Sequence, residues 1–242
     1  MKNRVLSIFI DDITLNEAID KIITLSKISS INAPYIVTPN AEIANLAERD
    51  SNFAAIVNTA DIVLADGAGV ILAAKLCKKP IKNGKVSGVD VARAILPIME
   101  KNNVSLYLLG GKPDVAKTAA DNISRHYPRL KIAGYSDGYF ETDAKACEKI
   151  IESRADIVFV CLGSPKQEYF MYNNKEKLSN SVLLGLGGTI DVIAGTAKLA
   201  PEFFRKAGLE WLYRLFHQPS RFFRMLSIPA YLFKAIIHKS KD

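Results

Sequence analysis

The chain has 242 residues, of which 49% are hydrophobic and 24% are charged, a composition typical of a globular protein. It holds no run of about 18 uninterrupted apolar residues, which argues against an ordinary membrane-spanning helix. The net charge of +7 is concentrated at one end, because residues 197–242 hold nine Lys or Arg against three acidic residues. Residues 1–196 are nearly neutral, so the basic tail is expected to meet an anionic partner.

The sequence has the marks of a cytoplasmic protein. Residues 1–4 lead into a short apolar strand, without the longer apolar region and cleavage site of a secretory signal. The three cysteines, Cys77, Cys147 and Cys161, are scattered and odd in number. That pattern is typical of a reducing compartment, and it argues against disulfide bonds or a structural zinc site.

Apolar strands alternate with helix patterns along the chain. Strands are predicted at residues 5–10, 35–37, 61–64, 104–109, 156–161 and 182–186. A helix over residues 14–27 opens with capping-box spacing, and Pro113 and Pro165 are suited to the first position of later helices. Continuous apolar strands between helices predict an α/β fold, a Rossmann-like and mostly parallel sheet with helices on both faces.

One domain boundary is predicted near residue 196. Residues 1–196 form the α/β core, and residues 197–242 form a basic, aromatic-rich helical appendage in which Pro229 is expected to kink the last helix. Basic residues among large apolar side chains favour a helix that lies in a lipid interface. The alternative is a helix pair packed on the body or on a second copy, through the face of Leu209, Leu212 and Phe216.

Asp66 is the strongest single candidate for a catalytic residue. It follows an apolar strand and precedes Gly67-Ala68-Gly69, so its carboxylate is expected at a strand end with little crowding. A carboxylate in that position can accept the proton of a sugar hydroxyl, as a general base does. The alternative is a structural role as the N-cap of the next helix.

Two more turns carry polar groups after a predicted strand. Thr38 and Asn40 offer a hydroxyl and an amide that suit sugar hydroxyls or phosphate oxygens, although Asn40 is equally suited to capping the helix that follows. Further along, Gln167 lies where a helix begins and is in reach of a ligand, while Glu168 complements the helix dipole.

Glycine turns close three of the predicted strands, at Gly110-Gly111, Gly163-Ser164 and Gly187-Gly188. Backbone N–H groups at such turns bind phosphate when they open a helix. None of the three fits the dinucleotide fingerprint or carries the lysine of a P-loop. A phosphate-bearing ligand is therefore expected, and plain tight turns are the alternative at any one of them.

Together these motifs resemble the WecG/TagA/CpsF family of bacterial glycosyltransferases over about residues 5–225. The matching segments in chain order are Thr38-Pro39-Asn40, Ala60-Asp61, Ala65-Asp66-Gly67-Ala68-Gly69-Val70, Gly88-Val89-Asp90, Gly163-Ser164-Pro165-Lys166-Gln167-Glu168, Gly185-Leu186-Gly187-Gly188 and Gly208-Leu209-Glu210-Trp211-Leu212-Tyr213-Arg214.

The resemblance implies an inverting transfer without metal or cofactor, from a UDP-sugar to a polyprenyl-diphosphate-linked acceptor at the cytoplasmic face of the membrane. Asp66 would deprotonate the acceptor hydroxyl, with Thr38 and Asn40 in the sugar pocket and Gln167 near the nucleotide. The other substrate-binding residues that it implies are Lys85, Asp90, Gly110, Gly111, Gly163, Glu168, Gly187, Asp191, Arg214, Arg221 and Arg224. The arginines would pair with diphosphate oxygens.

The expected substrates are UDP-N-acetylmannosamine and undecaprenyl-diphosphate-N-acetylglucosamine, as in the synthesis of the wall teichoic acid linkage unit. Donors carrying N-acetylmannosaminuronic acid or glucose are the alternatives within the family. Two positions depart from the family pattern, since Lys85 and Leu199 stand where arginines are usual. Outside the family, the rivals are an NAD(P)-dependent oxidoreductase and a non-enzymatic module that binds membranes or nucleic acid. We expect no nucleic-acid partner, because the apolar density after Pro229 favours lipid.

Overall fold

The structure is a computed structural model that describes residues 2–206, 208–217 and 227–239. Its strands are β1 (Lys2–Val5), β2 (Ile8–Asp11), β3 (Tyr35–Val37), β4 (Ile62–Val63), β5 (Leu106–Gly110), β6 (Ile132–Ser136), β7 (Ile157–Cys161) and β8 (Val182–Gly185). Its helices are α1 (Leu15–Leu25), α2 (Ala41–Ala47), α3 (Ser51–Asn58), α4 (Ala68–Leu76), α5 (Gly88–Lys101), α6 (Val115–His126), α7 (Asp143–Ser153), α8 (Lys166–Asn174), α9 (Thr189–Ala194), α10 (Glu202–Lys206), α11 (Glu210–His217) and α12 (Ser227–Lys239).

The chain divides into two compact units that alternate along the sequence. Unit 1 consists of Met1–Thr14, Thr38–Ser87 and Leu199–Asp242. Unit 2 consists of Leu15–Val37 and Gly88–Lys198.

Unit 2 is built around a parallel sheet in the order β3, β8, β7, β5, β6. Every residue of β5 and β7 is buried, as expected of continuous apolar runs that are covered on both faces. Helices α1, α5, α9 and α6 contact one another in that order, and α7 contacts α8. The α/β class and the mainly parallel sheet predicted from the sequence are confirmed.

Unit 1 combines a small hairpin with helices. Strands β1 and β2 pair antiparallel, and β2 contacts β4 and α3. Helices α2 and α4 contact each other, and α12 packs on both of them. Tyr231 and Ala235, four residues apart on α12, are fully buried. The end of the chain therefore contributes a core-facing helix to this unit.

The predicted boundary near residue 196 stays a prediction. The last stretch of unit 1 begins at Leu199 and shares that unit with two earlier stretches of the chain. In the described ranges no helix combines the length and the apolar character that crossing a bilayer requires.

Three local predictions were wrong. The single strand over residues 5–10 is a hairpin, because Leu6 has a φ of 55° and turns the chain between β1 and β2. Pro113 does not open a helix, since α6 begins at Val115 after Asp114. Pro165 does not open a helix either, since it is the N-cap residue of α8, which begins at Lys166. The kink expected at Pro229 stays a prediction, because residues 218–226, which precede α12, lie outside the described part of the chain.

Candidate active site

Asp66 lies in a turn of unit 1 between β4 and α4. The residues before it, Leu64 and Ala65, are buried, whereas Asp66 itself is half-buried. Its backbone N–H donates to the carbonyl of Pro39 at 3.0 Å, and the N–H of Val86 donates to the carbonyl of Ala65 at 2.9 Å. These bonds fix the turn, so the position of the carboxylate is set by the backbone.

The N-cap alternative for Asp66 is wrong, because the residue at that position is Gly67 and α4 has no side-chain cap. Gly67 has a φ of 93° and a ψ of 154°, a conformation that is essentially restricted to glycine. A Cβ added there would meet nothing within 4 Å, so the requirement is for the backbone conformation and not for space. The glycine therefore leaves the Asp66 carboxylate outside the helix cap.

Asn40 does cap a helix. Its Oδ1 accepts from the backbone N–H groups of Glu42 at 2.9 Å and Ile43 at 3.0 Å at the start of α2. The structural alternative for this residue is thus confirmed. The cap also fixes the place of the Asn40 amide group, whose Nδ2 makes no hydrogen bond to the described residues.

A cavity of about 100 Å³ in unit 1 contains Asp66 in its wall. Its lining comes from two of the three stretches of unit 1, Thr38–Ser87 and Leu199–Asp242. The lining residues are Asn40, Ala41, Glu42, Asp66, Gly67, Ala68, Gly69, Gly208, Glu210, Trp211, Ser227 and Ile228. The structure thereby brings Asn40 and Asp66 together in one cavity wall and adds Glu210, Trp211 and Ser227, which the sequence analysis did not single out for chemistry.

Lys85 is linked to this cavity through its ion-pair partner Glu210, which lines it. Its Nζ forms an ion pair and hydrogen bond with Oε1 of Glu210, and both side chains are about three-quarters buried. The pair joins residues 125 positions apart in the sequence. The positive charge of Lys85 is therefore already matched by a carboxylate of the cavity wall.

The remaining predicted residues of unit 1 contribute less to the described cavity. Thr38 is buried and does not line it. Arg214 lies in α11, but its side chain is outside the described part of the chain, and Arg221 and Arg224 fall entirely outside the described residues. Their assignment to diphosphate binding stays a prediction.

In unit 2 the predicted glycine turns follow the carboxyl ends of β5, β7 and β8, which are adjacent and parallel. Gly110 shows why one of them needs glycine, because a Cβ there would lie 2.2 Å from the carbonyl oxygen of Cys161. Gly111 accepts the N–H of Gly138 at 2.9 Å, and Gly163 accepts that of Gln167 at 2.9 Å. The turns are thus closely tied to neighbouring backbone.

The side chain of Gln167 holds the turn at Gly187 through a hydrogen bond. Its Oε1 accepts the N–H of Gly187 at 2.9 Å, and its Nε2 donates to Oε1 of Glu168 at 2.9 Å. Gln167 is 2% exposed and Glu168 is fully buried. Both side chains are therefore buried beneath the turn after β8, and their assignment to substrate binding stays a prediction.

Two predicted acidic residues of unit 2 lie in first helical turns. Asp90 is half-buried near the start of α5. Asp191 is half-buried in α9, and its carbonyl accepts the N–H groups of Thr196 and Ala197 at the other end of that helix. Carboxylates near helix N-termini are stabilised by the helix dipole, which accounts for both positions without a ligand.

A larger cavity, of about 610 Å³, lies in unit 2 and contains none of the predicted site residues. Its lining includes Lys117, Tyr135, Tyr139, Lys145 and Lys149. Tyr135 and Tyr139 are 46% and 69% exposed, respectively. The signal that could have found this cavity is the aromatic-rich run from Tyr135 to Phe140, which begins in β6, a strand that the sequence analysis missed.

The loop after β6 is held by Lys166. Its Nζ donates to the carbonyl of Gly138 at 2.9 Å and lies 4.3 Å from the ring centroid of Phe140, a cation–π contact. Phe140 in turn packs on Phe170 of α8, with ring centroids 5.8 Å apart. Lys166 therefore holds the loop after β6 in place, as Gln167 holds the turn at Gly187.

Two of the three cysteines are poorly suited to act as nucleophiles. Burial raises the pKa of Cys161 to about 12 and that of Cys147 to about 11, so both thiols are protonated near neutral pH. In the part of the chain that the structure describes, no three His, Cys, Asp or Glu side chains are grouped as metal ligands would be. The expected absence of a metal stays a prediction.

A family model decides the assignment. The model of the "Glycosyl transferase WecG/TagA/CpsF family" matches residues 3–242. The chain belongs to this family. The resemblance seen in the turn motifs is thereby confirmed, and membership of the WecG/TagA/CpsF family favours glycosyl transfer over the oxidoreductase and the non-enzymatic module.

Relatives with a common name support the same assignment to the family. A Bacillus subtilis (strain 168) protein is 39% identical over 196 residues, which cover 81% of this chain and 76% of the relative. A Bacillus spizizenii (strain ATCC 23059 / NRRL B-14472 / W23) protein is 37% identical over 205 residues, which cover 85% and 79%. A Staphylococcus aureus (strain MRSA252) protein is 32% identical over 238 residues, which cover 98% and 93%. All three are named N-acetylglucosaminyldiphosphoundecaprenol N-acetyl-beta-D-mannosaminyltransferase.

Proposed function

We propose that this chain transfers N-acetylmannosamine from UDP-N-acetylmannosamine to undecaprenyl-diphosphate-N-acetylglucosamine, with inversion and without a metal ion. Membership of the family supports glycosyl transfer as the reaction. The name that the three relatives share supports the acceptor and the transferred sugar. A donor with a mannosaminuronic acid or a glucose group is the alternative within the same reaction class.

The observation that carries the proposal is the placement of Asp66. Its half-buried carboxylate lies in a cavity wall, at the end of a buried stretch and outside the helix cap. In the reaction, the acceptor hydroxyl gives its proton to this carboxylate while its oxygen forms a bond to the anomeric carbon of the donor. The bond from that carbon to UDP breaks on the opposite face, and UDP leaves with the electron pair.

Negative charge must be offset as UDP leaves. Arg214, Arg221 and Arg224 belong to the last stretch of unit 1, which also supplies Glu210 and Trp211 to the cavity. We assign these arginines to diphosphate oxygens, because a guanidinium pairs with phosphate through two parallel hydrogen bonds. Electrostatic stabilisation of this kind is often the largest catalytic term.

The nucleotide is assigned to unit 2. Ligands of open parallel sheets bind beyond the carboxyl ends of the strands, where the turns at Gly110, Gly163 and Gly187 lie. Gln167 takes part by holding the turn at Gly187, in place of the direct contact predicted from the sequence. Lys166 holds the loop at Gly138 in a similar way, through a hydrogen bond to the Gly138 carbonyl.

The lipid-linked acceptor implies work at a membrane surface, and α12 offers a surface for it. Phe233, Ile236 and Ile237 are 64%, 52% and 42% exposed, on the side of the helix away from buried Tyr231 and Ala235. A helix with an exposed apolar face in a basic segment suits the lipid interface. We assign this face to peripheral binding at the cytoplasmic leaflet, where anionic headgroups attract the basic tail.

The test is a transfer assay with purified protein and a water-soluble polyprenyl-diphosphate-N-acetylglucosamine with a short prenyl chain. UDP-N-acetylmannosamine, UDP-N-acetylmannosaminuronic acid and UDP-glucose are supplied in parallel, with and without a chelator. We expect transfer from UDP-N-acetylmannosamine that the chelator leaves unchanged. Preferred use of another donor would overturn the donor assignment, and loss of activity with the chelator would overturn metal independence.

A further inference from the structure

Trp211 is the one large aromatic side chain among the described residues that line the Asp66 cavity. Small residues, including Gly67, Gly69 and Gly208, form much of the remaining wall. The indole is 37% exposed, so much of its surface remains open. A tryptophan in such a polar, glycine-rich cavity is not explained by packing of the core alone.

The start of α11 is held in place by three local contacts. Gly208 has a φ of 70°, and its chain approaches α4 so closely that an added Cβ would lie 2.8 Å from Cβ of Ala68. The N–H of Leu209 donates to the carbonyl of Phe204 at 2.8 Å. The neighbour of Trp211, Glu210, is fixed by its ion pair with Lys85. The ring is thereby carried on a fixed backbone beside Asp66.

The chemistry of this wall suits a pyranose ring. A hexosamine has polar hydroxyls at its edges and an apolar face of C–H bonds, which packs on an aromatic ring as other apolar groups do. Binding sites combine such an apolar surface with a few polar groups that fix orientation, here Asp66 and Asn40. Because Asp66 takes its proton from the acceptor, the sugar in this cavity is the acceptor sugar.

We propose that Trp211 binds the acceptor N-acetylglucosamine, with the sugar lying on the indole so that one hydroxyl reaches Asp66. The inference rests on the proposed function, since it assigns the cavity to the acceptor of that reaction. Under this proposal the Lys85–Glu210 ion pair holds α11, the helix that carries Trp211, in position beside the cavity. Lys85 therefore acts by positioning Glu210, whereas Trp211 contacts the substrate.

The test compares Trp211→Ala and Trp211→Phe with the wild type, using the short-chain, water-soluble acceptor. Phe203→Ala is the matched control, because Phe203 is an aromatic of the same unit that is 74% exposed and does not line the cavity. We expect Trp211→Ala to raise the KM for the acceptor about 10-fold, the effect of losing one aromatic contact, with the KM for the donor unchanged. Trp211→Phe should recover part of the loss, and Phe203→Ala should match the wild type.

Direct binding gives a second readout. Titration of the short-chain acceptor in a calorimeter should show a weaker Kd for Trp211→Ala and an unchanged Kd for Phe203→Ala. Lys85→Ala should weaken acceptor binding less than Trp211→Ala does, because the helix loses one of several contacts. Melting temperatures of all variants identify any general loss of structure.

The outcomes separate the inference from the proposed function. If the wild type neither binds nor uses the acceptor, the proposed function fails. If the wild type uses it but Trp211→Ala leaves the acceptor KM and Kd unchanged, only the role of Trp211 is overturned. Loss of binding to vesicles of anionic phospholipid in Trp211→Ala, with normal use of the soluble acceptor, would assign the residue to the lipid interface and contradict the inference.

Discussion

The cavity around Asp66 and the glycine turns of unit 2 are built in different ways. Two stretches of unit 1 that are distant in sequence supply the cavity wall, and the Lys85–Glu210 ion pair joins residues 125 positions apart. Each glycine turn, in contrast, connects one strand to the segment that follows it directly. A short sequence motif therefore defines each glycine turn, whereas the cavity around Asp66 is complete only in the folded chain.

The difference has a consequence for how the two regions respond to substitution. The wall of the cavity depends on helices α2, α4 and α12 remaining packed, so changes far from Asp66 are expected to reach it. The turns of unit 2 depend on single side chains beneath them, such as Gln167 below Gly187.

The largest effect on stability is expected from Tyr231→Ala. Tyr231 is fully buried where α12 packs on α2 and α4, and truncation of a large buried ring costs about 3 to 5 kcal/mol. Chemical denaturation measures the loss. The acceptor KM should also rise, because Ser227 and Ile228 of the same helix line the cavity.

Tyr231→Phe is the matched control. The Tyr231 hydroxyl is buried and makes no hydrogen bond to a described residue, and burial raises its pKa above the ordinary value, which keeps it protonated. Its removal should therefore leave stability unchanged or increase it by about 1 kcal/mol. A marked loss in the Phe variant would show that the hydroxyl is needed, and an unaltered Ala variant would contradict the packing of α12.

A smaller loss of stability is expected from Gln167→Ala in unit 2. The substitution removes the acceptor for the Gly187 N–H and a partner of the buried Glu168, at a cost of about 2 kcal/mol. UDP affinity should fall with stability, while the Kd for the soluble acceptor should change little. Gln167→Glu should be worse than Gln167→Ala, because it buries a second carboxylate beside Glu168. An equal or better Gln167→Glu protein would contradict this arrangement.

The smallest effect is expected from Asp12→Asn. Burial alone would raise the pKa of Asp12, but hydrogen bonds from the backbone N–H groups of Asn83 and Lys82 lower it below the ordinary 3.8. A lowered pKa in the folded state contributes stability that is present above 3.8 and is lost as the pH falls through the folded pKa. Because Asp12 is half-buried and its hydrogen bonds to Lys82 and Asn83 lie at the protein surface, the variant should lose less than about 1 kcal/mol at neutral pH.

Urea unfolding at neutral pH and well below pH 3.8 measures the contribution of Asp12. The difference between wild type and variant should shrink at the lower pH. A difference that grows on acidification would contradict the hydrogen bonds to the loop before Lys85.

Much of unit 2 could be predicted from the sequence, because its signals are local. A continuous apolar run such as residues 157–161 followed by Gly163 is enough to predict a buried strand and a turn. The strand β6 was missed for a local reason as well, since Ile132–Ser136 contains Ala, Gly and Ser and is mostly half-buried at the sheet edge.

The cavity could be predicted only in part. Asp66 was found from the turn that contains it, and Asn40 from the motif before α2. The contributions of Glu210, Trp211 and Ser227 depend on how the end of the chain packs on α2 and α4, which no local pattern encodes. Asn40 shows a further limit, because an amide that caps a helix and an amide that binds a sugar have the same sequence signal.

Asp66 is assigned to accept the proton of the acceptor hydroxyl, and the decisive measurement is the pH dependence of kcat/KM in the wild type and in Asp66→Asn. Turnover should fall at least about 10²-fold in the variant, as loss of a general base does, while its melting temperature and acceptor Kd stay close to the wild type. The acidic limb of the wild-type profile, where the carboxylate becomes protonated, should be missing from the residual activity. Near-normal turnover with the same acidic limb would show that Asp66 is not the base.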